Sequence, residues 1–220
     1  MTSSKFETND DILDFVIKKV NGIKEATTKW GCFQIINLGI SIEVLEDLKD
    51  VAHKFFQLPA EEKVNYCKDS YSAGESVLMF WSAIEPLLMG TMKININYYP
   101  PCPNPSITIG AHRHCNGSGI TLIFQDDMGD LYVRGTKGDN WIHVNPIKGA
   151  LVVNIGDLLQ IISNDRYKRI EHCVAVDLSR ARISVSLFVN TRLDSVIGQF
   201  SQIMKDGEKP VYKPVLHSDY

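Results

Sequence analysis

No apolar run in these 220 residues is long enough to cross a bilayer, and the opening MTSSKFETNDD lacks the apolar centre of a secretory leader. Charge of either sign is not in excess. A formal net charge of −3 and a pI near 6.1 give no reason to expect nucleic acid or an anionic membrane surface as partner. Cysteine is scarce and irregular: Cys32, Cys67, Cys102, Cys115 and Cys173 make an odd set of 5, which argues against a disulfide framework and for a reducing compartment. Internal repeats and low-complexity linkers are missing as well. With 44% apolar and 22% charged residues the chain is neither disordered nor membrane-like in composition. A monomeric, cytoplasmic domain with a helical extension is the expectation.

Two periods divide the chain. From Asp10 to Val20, Ile12, Phe15, Val16 and Val20 recur at helical spacing, and Asn21-Gly22 is expected to stop that helix. Cys32 to Ile36 reads as a short buried strand, with a turn over Asn37 to Gly39. Ser41 suits an N-cap, after which Val44, Leu45, Leu48, Val51, Ala52 and Phe55 would form one helical face that ends before Pro59. Ser76 to Leu88 is read as helical up to Pro86, although it has no clean polar face. From Ile94 the pattern changes to short runs rich in Val and Ile: ININ, ITLIF, LYV, WIHV, ALVVNI, RIEHCV and RISVSLFV. Strands this short and evenly spaced suggest a sandwich or jelly roll, interrupted by a helical turn over Asp157 to Ile162. The fold class is α+β. Residues 1–90 form a helical N-terminal portion, 91–195 a β domain, and 196–220 an extended tail.

Within the β domain a few polar residues stand where chemistry is possible. Two imidazoles and a carboxylate on one face of a ferrous ion leave positions open for a chelating co-substrate and dioxygen. Strand side chains alternate, so ligands at i and i+2 share a face. His114 and Asn116 have that spacing, and a distant His172 would come from a facing strand. Asn116 stands where a carboxylate would be needed. Arg182 with Ser184, again at i and i+2, would suit the far carboxylate of a keto diacid, because a guanidinium binds carboxylate through two parallel hydrogen bonds. Each residue also has a plainer reading. His172 alone fits a half-buried strand histidine, and Arg182 alone fits a surface ion pair. His112, Arg113 and His114 together fit a polar loop. His143 would face outward, while His53 and His217 would lie on a helix surface and in the tail. Cys115 and Cys173 each follow a candidate ligand and would point to the opposite face as packing groups. Spacing leaves both kinds of reading open.

INYYPPCPNP at 96–105, the HCN…TLIFQDD segment at 114–127, VNIGDLLQIISNDRYKRIEH at 153–172 and RISV at 182–185 resemble the plant-type iron(II)/2-oxoglutarate-dependent dioxygenases. KWGCFQIINLG and HKFFQLPAEEK resemble the same family's N-terminal portion. LYVRG, WIHV, DSVIG and GEKPVYKPVLHSDY are similar to its hydroxycinnamoyl-CoA (feruloyl- and p-coumaroyl-CoA) ortho-hydroxylase branch. The resemblance implies a double-stranded β-helix (jelly roll) core and iron(II) held by His114 and His172, with Asn116 in the third place. It also implies 2-oxoglutarate gripped by Arg182 and Ser184 with Tyr99 and Asn97, and ascorbate as reductant. The implied reaction couples decarboxylation of 2-oxoglutarate to ring hydroxylation of an aromatic acyl-CoA, in coumarin and phenylpropanoid metabolism. Three departures accompany it. The family pattern has aspartate at position 116. Segments around Glu25 to Lys29 and Gly74 to Leu87 are shortened, the second within the acyl-substrate pocket. The family's closing helix would fall beyond Tyr220. These departures imply the alternative of a non-catalytic dioxygenase-like binding protein.

Overall fold

The computed structural model describes residues 22–63, 90–135, 140–201 and 203–220, and the main chain of 75–81. The helix expected over Asp10 to Val20 lies outside them. Among the described residues no helix is long and apolar enough to cross a membrane.

RISVSLFVN opens on a strict polar–apolar alternation over RISVS, and the fold is built on this strand. It forms β10 (Arg182–Asn190), the partner of both β3 (Thr91–Tyr99) and β5 (Ile120–Gln125). Together with β1 (Cys32–Ile35), β2 (Glu75–Trp81) and β8 (Leu151–Ile155), these strands make a six-stranded antiparallel sheet in the order β1-β8-β5-β10-β3-β2. β4 (Ala111–His114), β6 (Leu131–Arg134), β7 (Trp141–His143) and β9 (His172–Val174) form a four-stranded sheet in the order β4-β9-β6-β7. Tyr99, Ile123 and Val152 of the first sheet pack with Leu131, Val133 and Val174 of the second, so the two sheets face each other across one core. The arrangement is the expected jelly roll.

Side-chain alternation then assigns each face of the large sheet. Ile183 and Val185 point outward, where α2 (Ile42–Phe56) lies across them. Ala52 and Phe56 pack on Ile183, Leu45 packs on Phe124 and Val185, and the rings of Phe56 and Tyr98 stack at 5.1 Å. Arg182, Ser184 and Ser186 point inward, and so do their register partners Tyr99, Asn97 and Asn95. The usual distribution is inverted here: the apolar face is covered by a helix, and the polar face is enclosed between sheets. Three polar atoms in this interior have no hydrogen-bond partner among the described residues, namely Asn95 Oδ1 and both side-chain atoms of fully buried Asn154. Buried polar groups seldom stay unpaired, so the interior is suited to polar guests.

Several expectations are corrected. Residues 22–29, Gly22 included, are helical (α1), and the helix expected to stop at Asn21-Gly22 lies outside the described residues. Ser41 does cap α2, accepting a hydrogen bond from Val44 N at 3.4 Å, but the buried stripe is rotated from the expected one. Leu45, Ala52 and Phe56 are buried, while Val44 and Val51 remain 57% and 60% exposed. Those two valines are i and i+7 on the flank of the stripe, beyond the reach of the sheet. Glu75 to Trp81 is a strand, not a helix; it pairs with β3 from Glu75↔Tyr98 to Trp81↔Met92. A run of Val, Leu, Met, Phe and Trp without a polar face suits a strand against a waiting sheet edge.

The remaining helices are short, α3 (Ala60–Lys63) and α4 (Asp157–Ile162). After α4, Asn164 and Asp165 take positive φ in the expected turn. Residues 196–220 carry β11 (Val196–Ile197), β12 (Val215–Leu216) and a 3-10 turn over His217–Asp219. Ile197 is buried against Leu158 and Ile161 of α4, which fastens this stretch to the β domain.

Candidate active site between the two sheets

The four-stranded sheet brings His114 and His172 together. They are register partners on the adjacent strands β4 and β9, and their rings lie 4.3 Å apart, tilted by 51°. They therefore come from neighbouring strands of one sheet; the facing strand expected for His172 is not used. A register shift in the β4–β9 ladder between Ala111 and His114 re-aims the end of β4, as bulges do near functional sites. Each ring is turned by a backbone carbonyl two residues earlier. His114 Nδ1 lies 2.7 Å from His112 O, and His172 Nδ1 lies 3.3 Å from Ile170 O. With Nδ1–H donated in this way, each ring has its Nε2 left for other contacts, which is how ligating imidazoles are commonly oriented. His172 is buried, and burial first, then the neighbouring His114, pushes its pKa down to about 4. It is neutral at physiological pH, the form a metal requires. His114 is exposed at the mouth of the site.

Asn116 does not share a strand with His114, because β4 ends at His114. It sits in the following loop, buried, where its Nδ2 donates to Thr121 Oγ1 at 2.8 Å and Thr121 Oγ1 meets Ser118 Oγ at 2.9 Å. Among the described residues, no three His, Cys, Asp or Glu side chains gather where they could hold a metal. Tested against a ferrous ion, the strand pair offers two oriented imidazoles, while the neutral amide of Asn116 is engaged with Thr121. Cys115 and Cys173 are half-buried free thiols whose pKa values burial raises, in keeping with packing rather than ligation.

The large sheet gathers the other four candidates. Arg182 is fully buried and lies over the ring of its register partner Tyr99, 5.3 Å from the centroid. Its Nη1 donates to Ser184 Oγ at 3.0 Å, its Nη2 to Gln125 Oε1 at 3.2 Å, and its Nε to Gly129 O. Asn97 Nδ2 reaches Ser184 Oγ at 3.5 Å and Ser186 Oγ at 3.4 Å. Among the described residues, each of these partners of the guanidinium is neutral. Asp126 and Asp130 act on it only through space, and Asp126 Oδ2 is taken by the Ile183 amide. Burial lowers the Arg182 pKa, but a guanidinium stays charged. A buried cation without a carboxylate in contact is costly unless a ligand supplies one. Tyr99 joins the two halves, because its ring packs against Gly110 just before β4 and against Val174 at the end of β9.

Comparison with known proteins decides the family. A model described as 2OG-Fe(II) oxygenase superfamily matches residues 90–191, and one described as non-haem dioxygenase in morphine synthesis N-terminal matches 14–79. A feruloyl CoA ortho-hydroxylase of Ipomoea batatas is 40% identical over 263 residues, which take in 90% of this chain and 74% of that protein. The chain belongs to the 2OG-Fe(II) oxygenase superfamily. It is thus a 2-oxoglutarate-dependent dioxygenase by family, and the family uses Fe(II) and 2-oxoglutarate. A bi-functional coumaroyl CoA and feruloyl CoA ortho-hydroxylase of Ruta graveolens is 38% identical over 269 residues, covering 91% of this chain and 73% of its own. Both matched spans are longer than this whole chain, so these oxygenases carry internal segments with no counterpart here. Among solved structures, JOX2 in complex with 2OG, Fe and JA superposes with a TM-score of 0.83 over 94% of this chain and 80% of its own, at 23% identity. The dioxygenase for auxin oxidation of rice gives 0.83 over 92% of this chain and 88% of its own, at 17% identity. At such identities the likeness concerns the oxygenase fold.

Sequence reading found the two imidazoles, Asn116 and the Arg182 group, but not Gln125, Thr121 or Asn154. Gln125 meets Arg182 because β5 and β10 are paired at Ser184↔Gln125. That register is a three-dimensional fact with no local signature.

Proposed function

We propose that this chain is an iron(II)/2-oxoglutarate-dependent dioxygenase that hydroxylates the ring of a hydroxycinnamoyl-CoA ortho to its acyl chain. The observation that carries the co-substrate reading is Arg182, a buried guanidinium with neutral partners, in the interior between the sheets that buried His172 shares, with the oriented ring of exposed His114 at its mouth. In this reading His114 and His172 hold the iron through Nε2, and Asn116 is the third, neutral donor. Arg182 and Ser184 bind the distal carboxylate of 2-oxoglutarate, with Asn97 at the Ser184 hydroxyl and Tyr99 beneath the guanidinium. When bound, the iron supplies the site for 2-oxoglutarate and dioxygen and the oxidising power of the reaction. The chain's own contribution is to hold the buried His172 imidazole neutral, to orient both rings through backbone carbonyls, and to fix the diacid at its far end. The acyl-CoA class rests on the feruloyl and coumaroyl CoA ortho-hydroxylases to which the chain is similar.

The test is anaerobic titration of the purified protein with Fe(II) and 2-oxoglutarate, read by the visible charge-transfer band of the ternary complex. Feruloyl-CoA and oxygen follow, with succinate and hydroxylated product measured. Band, succinate and product are the expected result. A protein that gives neither band nor succinate is the non-catalytic relative that the neutral Asn116 would produce.

A further inference from the structure

Asn116 is followed by Gly117, and the structure places this pair in a setting suited to chemical change. Deamidation at an Asn-Gly pair begins when the glycine amide nitrogen attacks the asparagine Cγ. Gly117 is exposed and its N–H makes no hydrogen bond among the described residues, so the nucleophile is uncommitted. A side chain at position 117 would hinder the attack, and glycine has none. The leaving nitrogen, Asn116 Nδ2, lies 2.8 Å from Thr121 Oγ1, whose hydroxyl is paired with Ser118 Oγ at 2.9 Å. Asn116 Nδ2 donates to this hydroxyl pair, which fixes the orientation of the side-chain amide. Solvent reaches the loop from the side of exposed His114 and Gly117.

We propose that Asn116–Gly117 is a deamidation site, and that conversion of Asn116 to aspartate completes the donor set begun by His114 and His172. Its second half rests on the metal reading above. Gly117 N gives up its proton and bonds to Asn116 Cγ, the Cγ–Nδ2 bond breaks, and the departing nitrogen takes up a proton from solvent and leaves as ammonia. Water then adds at Cγ and breaks its bond to Gly117 N, which regains a proton; the main-chain peptide bond stays in place and Cγ becomes a carboxylate. One water is consumed, one ammonia is released, and nothing is oxidised or reduced.

Ring opening at the other carbonyl would give isoaspartate, which adds a methylene to the main chain. The fold opposes that product. The N-terminus of α4 grips this loop through Asp157 N to Asn116 O at 2.8 Å, Leu158 N to Ser118 O at 3.2 Å and Gly156 N to Gly119 O at 3.0 Å. Gly156 is pressed so close that a Cβ there would stand 2.0 Å from Ser118 O and 2.7 Å from Asn116 O. Lengthening the main chain at position 116 would break this fit, whereas aspartate preserves it.

The experiment incubates the purified protein in mildly alkaline buffer. Position 116 is followed by peptide mapping that separates asparagine, aspartate and isoaspartate, and Fe(II) affinity is titrated at each time point. Asn21–Gly22 in the same map reports the behaviour of a second Asn-Gly pair. The expected result is aspartate at position 116 and an iron affinity that rises with it, by roughly 10–100-fold at full conversion. Asn116→Asp should show that affinity from the start. Gly117→Ala should slow conversion by an order of magnitude and hold iron affinity at its initial value. Gly117 is not in the left-handed region, and an added Cβ would meet only Tyr220 Cε1 at 3.9 Å, so the alanine is accommodated. Position 116 remaining wholly asparagine, or turning only to isoaspartate, overturns the proposal in the wild-type protein alone. If Asn116→Asp binds Fe(II) no more tightly than wild type, the metal reading fails and the second half of the proposal with it. The deamidation step is still decided by the map.

Discussion

The two halves of the candidate site are built differently. Arg182, Ser184, Asn97 and Tyr99 lie on two nine-residue strands, β10 and β3, whose registers are locked by continuous pairing. His114 and His172 lie at the ends of strands of four and three residues, joined by a ladder whose register shifts, and Asn116 hangs in the loop beyond. The first half is buried and pre-organised; the second combines one buried ring with one exposed ring. Long strands specify register strongly because a slip of one residue would reverse every side chain. A short, bulged strand end gives position only through local hydrogen bonds. Substitutions in the diacid half should therefore cost binding directly, whereas the metal half should respond to protonation and loop chemistry.

The sharpest test of the rigid half is Arg182→Met. It removes the buried cation and leaves Gln125 Oε1, Ser184 Oγ and Gly129 O without their donor. Losing one member of a buried charge pair costs about 2–5 kcal/mol, so 2-oxoglutarate affinity should fall by at least roughly 30-fold in a calorimetric titration. Unchanged affinity would place the diacid elsewhere and dissolve the comparison.

The metal half should show itself next, in its response to acid. The His172 pKa is lowered in the fold from 6.5 to about 4. Between those values the unfolded chain binds the proton and the folded chain does not. Stability from this group is complete above pH 6.5 and is lost as pH falls toward 4. The span corresponds to about 3 kcal/mol, or roughly 5–10 °C of melting temperature for a chain of this size. The metal-free protein should melt progressively lower across that window, and His172→Gln should flatten the slope. An equal slope in the variant would show that other groups govern acid stability.

How far the site was legible follows the same division. RISVS and ININYY announced themselves because alternation and motif lie in consecutive residues, and both halves of the proposed diacid grip sit on those strands. The pairing of β3 with β10 that makes Asn97 meet Ser184 is non-local, and so is the β5 register that brings in Gln125. In the metal half His114 and His172 were readable as residue types, but the relation between them was not. Period two suggested that Asn116 continued the strand, whereas a register shift and a strand end intervene, and neither carries a mark in HCNGSG. Ser76 to Trp81, within the stretch read as helical, is a strand for a related reason: its apolar run fits either form, and pairing with the edge of β3 decided it.

A smaller effect separates the supporting atoms of the rigid half. Ser184 Oγ accepts from Arg182 Nη1 at 3.0 Å and faces Asn97. Ser184→Ala removes one hydroxyl while the guanidinium keeps Gln125 and Gly129, so about 1 kcal/mol should be lost, near fivefold in 2-oxoglutarate affinity. A loss as large as that of Arg182→Met would mean that the serine holds the diacid and the arginine only supports it.

The smallest effect is expected on the rim of the metal half, where charge is plentiful but exposed. Arg113 lies between His112 and His114 with its side chain 73% exposed, and its Nε is 3.9 Å from Glu171 Oε1. Glu171 already has a better partner in Arg134, at 2.7 Å, and its pKa is lowered first by that hydrogen bond. Exposed pairs at such distances contribute little, about 0–1 kcal/mol, because water and salt screen them. Meanwhile the ring of His114 is oriented by the His112 carbonyl, which a change of the Arg113 side chain leaves in place. Arg113→Ala should therefore change stability by no more than about 0.5 kcal/mol and leave Fe(II) affinity within about twofold of wild type. If iron affinity falls by an order of magnitude or more, the rim charge orders the end of β4, and the metal half depends on its surface rather than on its backbone carbonyls.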